Sequence, residues 1–183
     1  KDTSGLLMLA RTDRVARRLS EALRHRNTRK IYWALVAGVP NPKQGSIKYG
    51  LMKAPGGRGE GEKMLCIHPA KMAEYPDAKR AQTDFFTLWF LGARMSWMAL
   101  EPVTGRTHQL RAHMAEMGHP IAGDDKYGDF DLNRALQRNG LKRMFLHAWQ
   151  LGVTHPVLQS PLQLQADLPP ELKGWGNVAD FFV

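Results

Sequence analysis

The residues from Glu101 to Gly128 carry an unusual concentration of side chains that could do chemistry. Two arginines and three histidines fall in this short span: Arg106, His108, Arg111, His113 and His119. If a helix begins near Thr107 after a sharp turn at Gly105, His108 and Arg111 lie on one face of it. The first turn of such a helix favours an anion, and an arginine there binds phosphate or orients a carboxylate. Spacing alone fits a capped amphipathic helix with solvated basic residues equally well.

The three histidines do not have the spacing of a metal site. His108 and His113 are five residues apart, which places them on different sides of one helix, and no glutamate between them completes a His-Glu-x-x-His pattern. Cys66 is the single cysteine, which excludes an internal disulfide framework and a multi-cysteine zinc site. Between two apolar neighbours, it is predicted to be a small apolar filler in a strand. We therefore expect no metal.

Hydrolytic chemistry has little support in the sequence. No serine lies in a Gly-x-Ser-x-Gly elbow. Asp124 and Asp125 form the only adjacent pair of acids, and their setting between Gly123 and Gly128 predicts a turn in which aspartate side chains accept backbone amides. A glycosidase with paired acids is the alternative.

The elements that must position these residues are mostly strands. Apolar runs and alternation predict strands at 6–10, 29–38, 46–49, 64–67, 81–91, 95–101, 146–154 and 162–166. Helices are predicted after Thr12 and Asp13, from about Thr107 to Met117, and briefly from Pro169. Short connections favour antiparallel pairing, so the fold class is α+β, with a mixed, mainly antiparallel sheet and a few helices.

Two local features complete this outline. Residues 81–101 are predicted to form a hairpin around Gly92, with Trp89, Phe90 and Trp97 packing in it. The glycine-rich stretch 55–61 lacks the Gly-Lys-Ser/Thr ending of a phosphate-binding loop and predicts a mobile surface loop.

Length and charge limit the classes of function. A chain of 183 residues, 43% hydrophobic and 23% charged, is typical of one compact domain, here residues 1–183. Its 26 lysines and arginines against 17 acids give a net charge of +9, which favours a polyanionic partner. Arginines of the first predicted helix lie away from its apolar stripe and face solvent or phosphate: Arg14, Arg17, Arg18, Arg24 and Arg26.

The sequence predicts a cytosolic protein, and its first residues predict that the chain is a piece of a longer one. No apolar run is long enough to cross a bilayer, and no secretory signal is present, so we expect no membrane partner and a cytoplasmic location. The chain begins without an initiator Met and enters an apolar run directly after Gly5.

Several segments, in order and spacing, resemble the RluA family of RNA pseudouridine synthases. The match is carried by Asp2–Leu6, Arg29–Tyr32, Gly105–Arg111 and Gly118–Asp124, with 143–148 and 154–156 resembling later family strands. Residues Asp124–Asp129 are similar to the RluC-type branch, which acts on large-subunit ribosomal RNA. The long Gly-Arg-Thr-His-Gln-Leu-Arg segment makes the match specific.

The resemblance implies an enzyme that converts specific uridines in RNA to pseudouridine, with ribosomal RNA as partner and substrate and no cofactor. The reaction breaks the bond between base and sugar, turns the ring and rejoins it through carbon. The family's nucleophile is an aspartate in a His-Arg-Leu-Asp motif, which would immediately precede Lys1, and Asp2 is not that residue. The chain is therefore expected to be a catalytic domain lacking its N-terminal part.

The resemblance also assigns roles to residues of this sequence. Tyr32 matches the active-site tyrosine that lies against the target base and is a candidate for moving the ring proton. Arg111 matches the basic residue that pairs with the catalytic carboxylate. Residues matched to the RNA-contacting positions or lying beside them are Arg29, Lys30, Arg106 and His108. The rival hypothesis is a basic RNA-binding module without catalysis; neither hypothesis fixes the oligomeric state.

Overall fold

A mixed, mainly antiparallel sheet organises the computed structural model, which describes residues 2–56 and 62–175. Nine strands span Ser4–Gly5, Arg29–Ala37, Gln44–Ile47, Gly50–Lys53, Met64–Ile67, Thr83–Leu91, Met95–Pro102, Leu146–Thr154 and Pro161–Gln165 in this part of the chain, and are numbered β1 to β9. Four helices, α1 to α4, span Asp13–Arg24, Gln109–Glu116, Phe130–Arg138 and Pro170–Lys173, and a 3-10 helix spans Pro69–Glu74. The predicted α+β class is confirmed. None of these helices is long and apolar enough to span a membrane.

Strand β2 lies at the centre of the main sheet. The sheet order is β1, β8, β2, β7, β6, β3, with β9 paired to β8, and β4 and β5 form a separate pair. The apolar run of β2 is buried on both sides, as expected for a strand covered on two faces. Trp33 and Leu35 pack in one core cluster with Trp97, while Ala34 and Val36 pack in the other, which includes residues of α2. The same alternation continues back through the start of the strand, Arg29 to Tyr32, whose side chains point alternately to the two faces of the sheet.

Most predicted elements are present. The strands near 29–38, 64–67, 81–91, 95–101, 146–154 and 162–166 are confirmed, and so is the start of α1, where Thr12 Oγ1 accepts a hydrogen bond from the Val15 amide at 3.3 Å. The 46–49 segment is shifted to Gln44–Ile47, and strand β4 after it was not predicted. The predicted loop at 55–61 lies mostly outside the described residues.

The predicted strand at 6–10 is wrong, because the sheet edge it would extend along is already occupied. Gly5 has φ of 100° and its Cα lies against the backbone of Ala148, after which the Leu6 amide makes a hydrogen bond to the Ala148 carbonyl. Beyond that point β9 pairs with β8 from Gln150 to Thr154. The chain therefore leaves the sheet after two paired residues.

Two further expectations need correction. Trp89 and Phe90 are 37% and 45% exposed, because the register of β6 shifts between Thr87 and Trp89 and ends the inward alternation; Trp97 is fully buried as predicted. Helix α3 was missed. Its start is marked by Asp129, whose side chain accepts a hydrogen bond from the Leu132 amide at 2.9 Å.

Candidate functional site

A cavity of about 850 Å³ brings together most of the predicted site residues. Its wall is built from the start of β1, the start of β2, the loop that leads into α2, and the turn after Asp124. Of the predicted residues, those lining it are Lys30, Tyr32, Arg106, His108 and Arg111. Arg29 is not brought into the cavity: its guanidinium makes two hydrogen bonds of 3.0 Å to the carboxylate of Glu101 and is largely exposed.

The amino end of β1 is fixed at the rim of this cavity. Asp2 and Thr3 line it. The Asp2 carbonyl accepts a hydrogen bond from Arg143 Nη2 at 3.3 Å, and the Ser4 hydroxyl lies 2.8 Å from Nδ1 of the buried His147. The backbone that leads into Thr3 is therefore held on the same cavity as Tyr32 and Arg111.

The loop entering α2 is held by one buried side chain, that of Gln109. Its Oε1 accepts hydrogen bonds from the Thr104 hydroxyl at 2.6 Å and the Arg106 amide at 3.1 Å. Its Nε2 donates to the Gln82 carbonyl and the Thr83 hydroxyl. With all these bonds made, the loop that presents Arg106 and His108 is tied to strand β6.

The sharp backbone turn before α2 falls on His108 rather than on Gly105. Among the described residues, only His108 and Gln159 combine a side chain with positive φ, and His108 has φ of 53°. A left-handed conformation at a residue with a side chain costs about 1–3 kcal/mol and persists only where the surroundings fix it. The helix consequently begins at Gln109, two residues later than predicted.

Arg111 binds a buried carboxylate. Its Nε and Nη2 donate to the two oxygens of Asp124 at 2.8 and 2.7 Å, and Nη2 also reaches Asp125 at 3.3 Å. The side chain of Asp124 is fully buried and that of Arg111 is 12% exposed. Among the described residues, Nη1 of Arg111 makes no hydrogen bond.

The pKa of Asp124 depends on this pairing. Burial alone raises the pKa of the carboxyl, but hydrogen bonds from Arg111 and from the amides of Tyr127 and Lys126 outweigh it and hold the pKa below its usual value. The hydrogen bond to Asp124 likewise raises the pKa of Arg111. Both groups are therefore charged at neutral pH.

The turn that carries Asp124 is as constrained as its carboxylate. Asp124 Oδ1 accepts hydrogen bonds from the amides of Lys126 and Tyr127, both at 2.9 Å, as the sequence predicted for this turn. Gly128 is required, since a Cβ there would lie 2.0 Å from the Asp124 carbonyl oxygen. The buried Asn133 of α3 accepts from the Gly123 amide at 2.7 Å and donates to the Asp124 carbonyl at 2.8 Å.

We expect Asn133→Ala to lower the free energy of unfolding by about 1–3 kcal/mol, because it leaves two buried backbone groups without partners. Asn139→Ala, at the residue that follows the same helix, is the matched control, since Asn139 is exposed and, among the described residues, its side chain bonds only to the Ala135 carbonyl. Urea unfolding of both variants checks this. Equal losses in the two variants would show that the turn does not depend on Asn133.

Tyr32 and Lys30 enter the cavity from β2. Burial raises the pKa of the Tyr32 phenol and lowers the pKa of the Lys30 ammonium. Tyr32 is thus a protonated phenol at neutral pH. Gly105 lies close to Lys30, whose Nζ would be 3.6 Å from a Cβ at that position.

The remaining basic and histidine residues have structural partners. Arg106 Nε donates to the Arg80 carbonyl at 3.1 Å. The fully buried His113 lies between the Thr83 hydroxyl and the Tyr49 carbonyl, and His119 Nδ1 lies 2.8 Å from the Ala37 carbonyl. No cluster of three metal-binding side chains is found within residues 2–56 and 62–175.

Cys66 has the environment predicted for it. It packs at the edge of a small core cluster, with its Sγ 3.5 Å from the Ala112 carbonyl oxygen. Burial, with a smaller contribution from Glu116, raises the pKa of its thiol to about 12. The thiol is therefore unsuited to act as a nucleophile at neutral pH.

Comparison with known proteins identifies the family. Residues 1–116 match the family described as RNA pseudouridylate synthase. The chain belongs to this family. The ribosomal large subunit pseudouridine synthase C of Pasteurella multocida is 36% identical over 174 residues, which cover 94% of this chain and 50% of the relative. The protein of the same name from Escherichia coli K12 is 36% identical over 176 residues, covering 94% and 52%.

A solved structure of the same kind supports the pseudouridylate synthase fold. Human RNA Pseudouridylate Synthase Domain Containing 4 superposes with a TM-score of 0.66 at 28% identity, covering 88% of this chain and 66% of that protein. The resemblance to RluC-type synthases is thus confirmed at the level of family. The chain spans about half the length of the curated relatives it matches.

Three residues that support the wall of the cavity were not predicted from the sequence in that role. Asp124 was predicted as a turn residue, with one acid of a pair as the alternative, and not as the partner of Arg111. Tyr127, whose hydroxyl contacts His108, and Asn133 were not singled out at all. The only available signal was the placement of Asp124 and Tyr127 between two glycines, which indicates a tightly constrained turn.

Proposed function

We propose that the protein isomerises uridine to pseudouridine in RNA and that large-subunit ribosomal RNA is its substrate. The observation that supports this most directly is convergence: Tyr32, Arg111 and the amino end of β1 line one cavity in a member of the RNA pseudouridylate synthase family. Relatives named for the ribosomal large subunit support the choice of RNA. A ribosomal substrate goes with a cytoplasmic location.

The proposed reaction needs a carboxylate nucleophile, which in the family precedes the position of Lys1. The rim position of Asp2 and Thr3 would bring such a residue to the cavity. Nη1 of Arg111 can keep it ionised and aimed, because Nε and Nη2 are already bound to Asp124.

In the reaction the bond from the sugar to ring nitrogen breaks and a bond from the sugar to ring carbon forms. The proton on that carbon is lost and the nitrogen gains one, so no cofactor is required.

The target uridine must leave its helix to react. A cavity of about 850 Å³ is within the range of about 300–1,000 Å³ typical of sites that enclose a small ligand, and it can hold an extruded nucleotide. Tyr32 supplies an aromatic face for the base and a phenol for moving the proton on the ring. Lys30, Arg106 and His108 at the cavity wall are proposed to contact the RNA, and Arg29 to contact it outside the cavity.

A map of pseudouridines in ribosomal RNA tests the proposal. Cells lacking the gene should lose one or more pseudouridines, and the full-length gene product should restore them in vitro on transcribed RNA. An unchanged map would remove the proposal. Tight RNA binding without turnover, together with no Arg-Leu-Asp encoded ahead of Lys1, would instead support the RNA-binding module without catalysis.

The exposed arginines of α1 are proposed to carry the RNA strand towards the cavity. Arg14, Arg17, Arg18 and Arg24 lie on one face of the helix together with Glu21, and within residues 2–56 and 62–175 none of the four forms an ion pair. The opposite face of α1 includes Leu23, which lines the cavity. The helix that carries this net positive face therefore borders the cavity.

Replacing Arg17 and Arg18 by glutamine should weaken the salt dependence of RNA affinity. Each lost phosphate contact lowers the slope of log Kd against log salt concentration by about 0.7–0.9, with kcat unchanged. Arg138→Gln with Lys142→Gln removes the same charge from exposed positions outside α1 and serves as the control. Equal slopes for the two double variants would mean that α1 is not an RNA surface.

A further inference from the structure

We propose that Tyr127 is a positioning residue that holds the His108 ring as a neutral donor, with its proton on Nε2, towards an acceptor oxygen of the RNA. The identity of the ligand rests on the proposed function, whereas the state of the ring does not. Nothing in the family match assigns a role to Tyr127.

The state of the His108 ring follows from a short chain of hydrogen bonds. The Met64 amide donates to the Tyr127 hydroxyl oxygen at 2.8 Å, and an amide can only donate. The single proton of that hydroxyl is then free for Nδ1 of His108, which lies 2.9 Å away. Among the described residues that proton has no other acceptor, so the geometry favours Nδ1 as its acceptor, and the one proton of the neutral ring then lies on Nε2.

Packing keeps Tyr127 in this place. Its side chain is buried, its ring is 5.2 Å from the guanidinium carbon of Arg111, and its amide is bound to Asp124. The rings of Tyr127 and His108 meet edge to face, with centroids 5.6 Å apart. The hydroxyl consequently cannot turn away from His108 without moving the turn that holds Arg111.

The charges facing His108 also favour the neutral ring. Burial lowers the pKa of His108, Arg111 and Lys126 lower it further, and Asp124 opposes them. Tyr127 is the other titratable group against the ring, and burial raises the pKa of its phenol, so it remains a donor at neutral pH. His108 lines the cavity, where a neutral N–H fits a uracil carbonyl or a phosphate oxygen.

The first test needs no RNA. Nitrogen-15 spectra of the histidine rings in the full-length protein, with His108 assigned through His108→Gln, should show Nε2 protonated and Nδ1 unprotonated at pH 7. Tyr127→Phe should raise the pKa of His108, because the lone pair on Nδ1 loses its donor. Tyr49→Phe, the same change at a tyrosine whose ring meets His68 rather than His108, should leave this pKa unchanged. A proton on Nδ1, or a pKa that Tyr127→Phe does not raise, would overturn the assignment.

The second test measures turnover of RNA. The amide nitrogen of glutamine occupies nearly the place of Nε2, whereas that of asparagine mimics Nδ1, so His108→Gln should retain about tenfold more kcat/KM than His108→Asn. Tyr127→Phe should cost about tenfold in the wild-type background and little in His108→Gln. Equal costs in both backgrounds would contradict a role through His108. If no RNA is modified, the proposed function fails while the spectra still decide the state of the ring.

The acceptor can be located with a modified substrate. 4-Thiouridine at the target position replaces one carbonyl by a weakly accepting sulfur. If that carbonyl is the acceptor, the difference between His108→Gln and His108→Asn disappears on this substrate. If the acceptor is a phosphate oxygen, the difference persists on 4-thiouridine and is lost when the neighbouring phosphate is made a methylphosphonate. Persistence on both substrates would count against a direct contact of His108 with either group.

Discussion

Tyr32→Phe is expected to reduce kcat for pseudouridine formation by about 10²–10⁴-fold, the usual contribution of a positioned acid or base, while changing KM by less than about threefold. The aromatic ring remains to face the base, so binding is preserved, whereas the hydroxyl that would move the ring proton is lost. Burial raises the pKa of this phenol, which keeps its proton in place at neutral pH. Release of tritium from RNA labelled at carbon 5 of uridine measures the change.

Tyr49→Phe provides the matched control for this result. Tyr49 also packs against the core cluster that includes the residues of β2 and α2, but it does not line the cavity. Its substitution should leave kcat unchanged. A Tyr32→Phe protein that turns over normally, or one whose loss lies wholly in KM, would remove Tyr32 from the chemistry and leave it a role in binding only.

Much of the fold could be predicted because local pattern and tertiary environment agree. The apolar run of β2 is buried as its pattern implies, and α1 begins at its predicted cap with Leu19 of its apolar stripe buried. The strand predicted at 6–10 is absent because pairing at this sheet edge does not depend on local sequence. Strand β9, more than 150 residues later in the chain, occupies the edge that this segment would use. Helix α3 was not predicted because its short apolar stripe is partly exposed and only its cap is distinctive.

In the site, too, residues within one sequence motif could be predicted, whereas a contact between two motifs could not. Five of the six predicted residues line one cavity, and all five lie in two short motifs, Arg29–Tyr32 and Gly105–Arg111. Arg29, the sixth, is turned away by its pairing with Glu101. Their roles stay predictions. The bond between Arg111 and Asp124 joins two motifs across 13 residues, and no periodicity in the sequence predicts such a bond.

Arg111→Ala should lower turnover at least about 100-fold and weaken RNA affinity only slightly, because one charge among several phosphate contacts is a small share of binding. The buried partner complicates this variant. Removing Arg111 leaves the Asp124 carboxylate buried and uncompensated, at a cost of about 3–5 kcal/mol in the free energy of unfolding. Lost activity alone would then not separate catalysis from folding.

Two variants make that separation. Arg111→Ala combined with Asp124→Asn removes the uncompensated charge, and Arg111→Lys keeps the positive charge without the bidentate geometry. Both should be more stable than Arg111→Ala and still inactive, with RNA affinity close to wild type. Recovery of turnover in the double variant would show that Arg111 acts only by supporting Asp124.

The dependence of stability on pH identifies the pair independently of any substrate. In the wild type the pKa of Asp124 is below its unfolded value, so the stability contributed by this carboxylate is present above that unfolded value and is lost as pH falls through the folded one. In Arg111→Ala burial should raise the pKa of Asp124, and the carboxyl becomes neutral during acidification without opposing the fold. The difference in unfolding free energy between wild type and variant should therefore shrink between pH 7 and pH 3.

Arg134→Ala, which removes an exposed pair with Asp131, should show little difference from wild type at either pH. A difference for Arg111→Ala that stays constant with pH would mean that the ionised pair is not what the turn depends on.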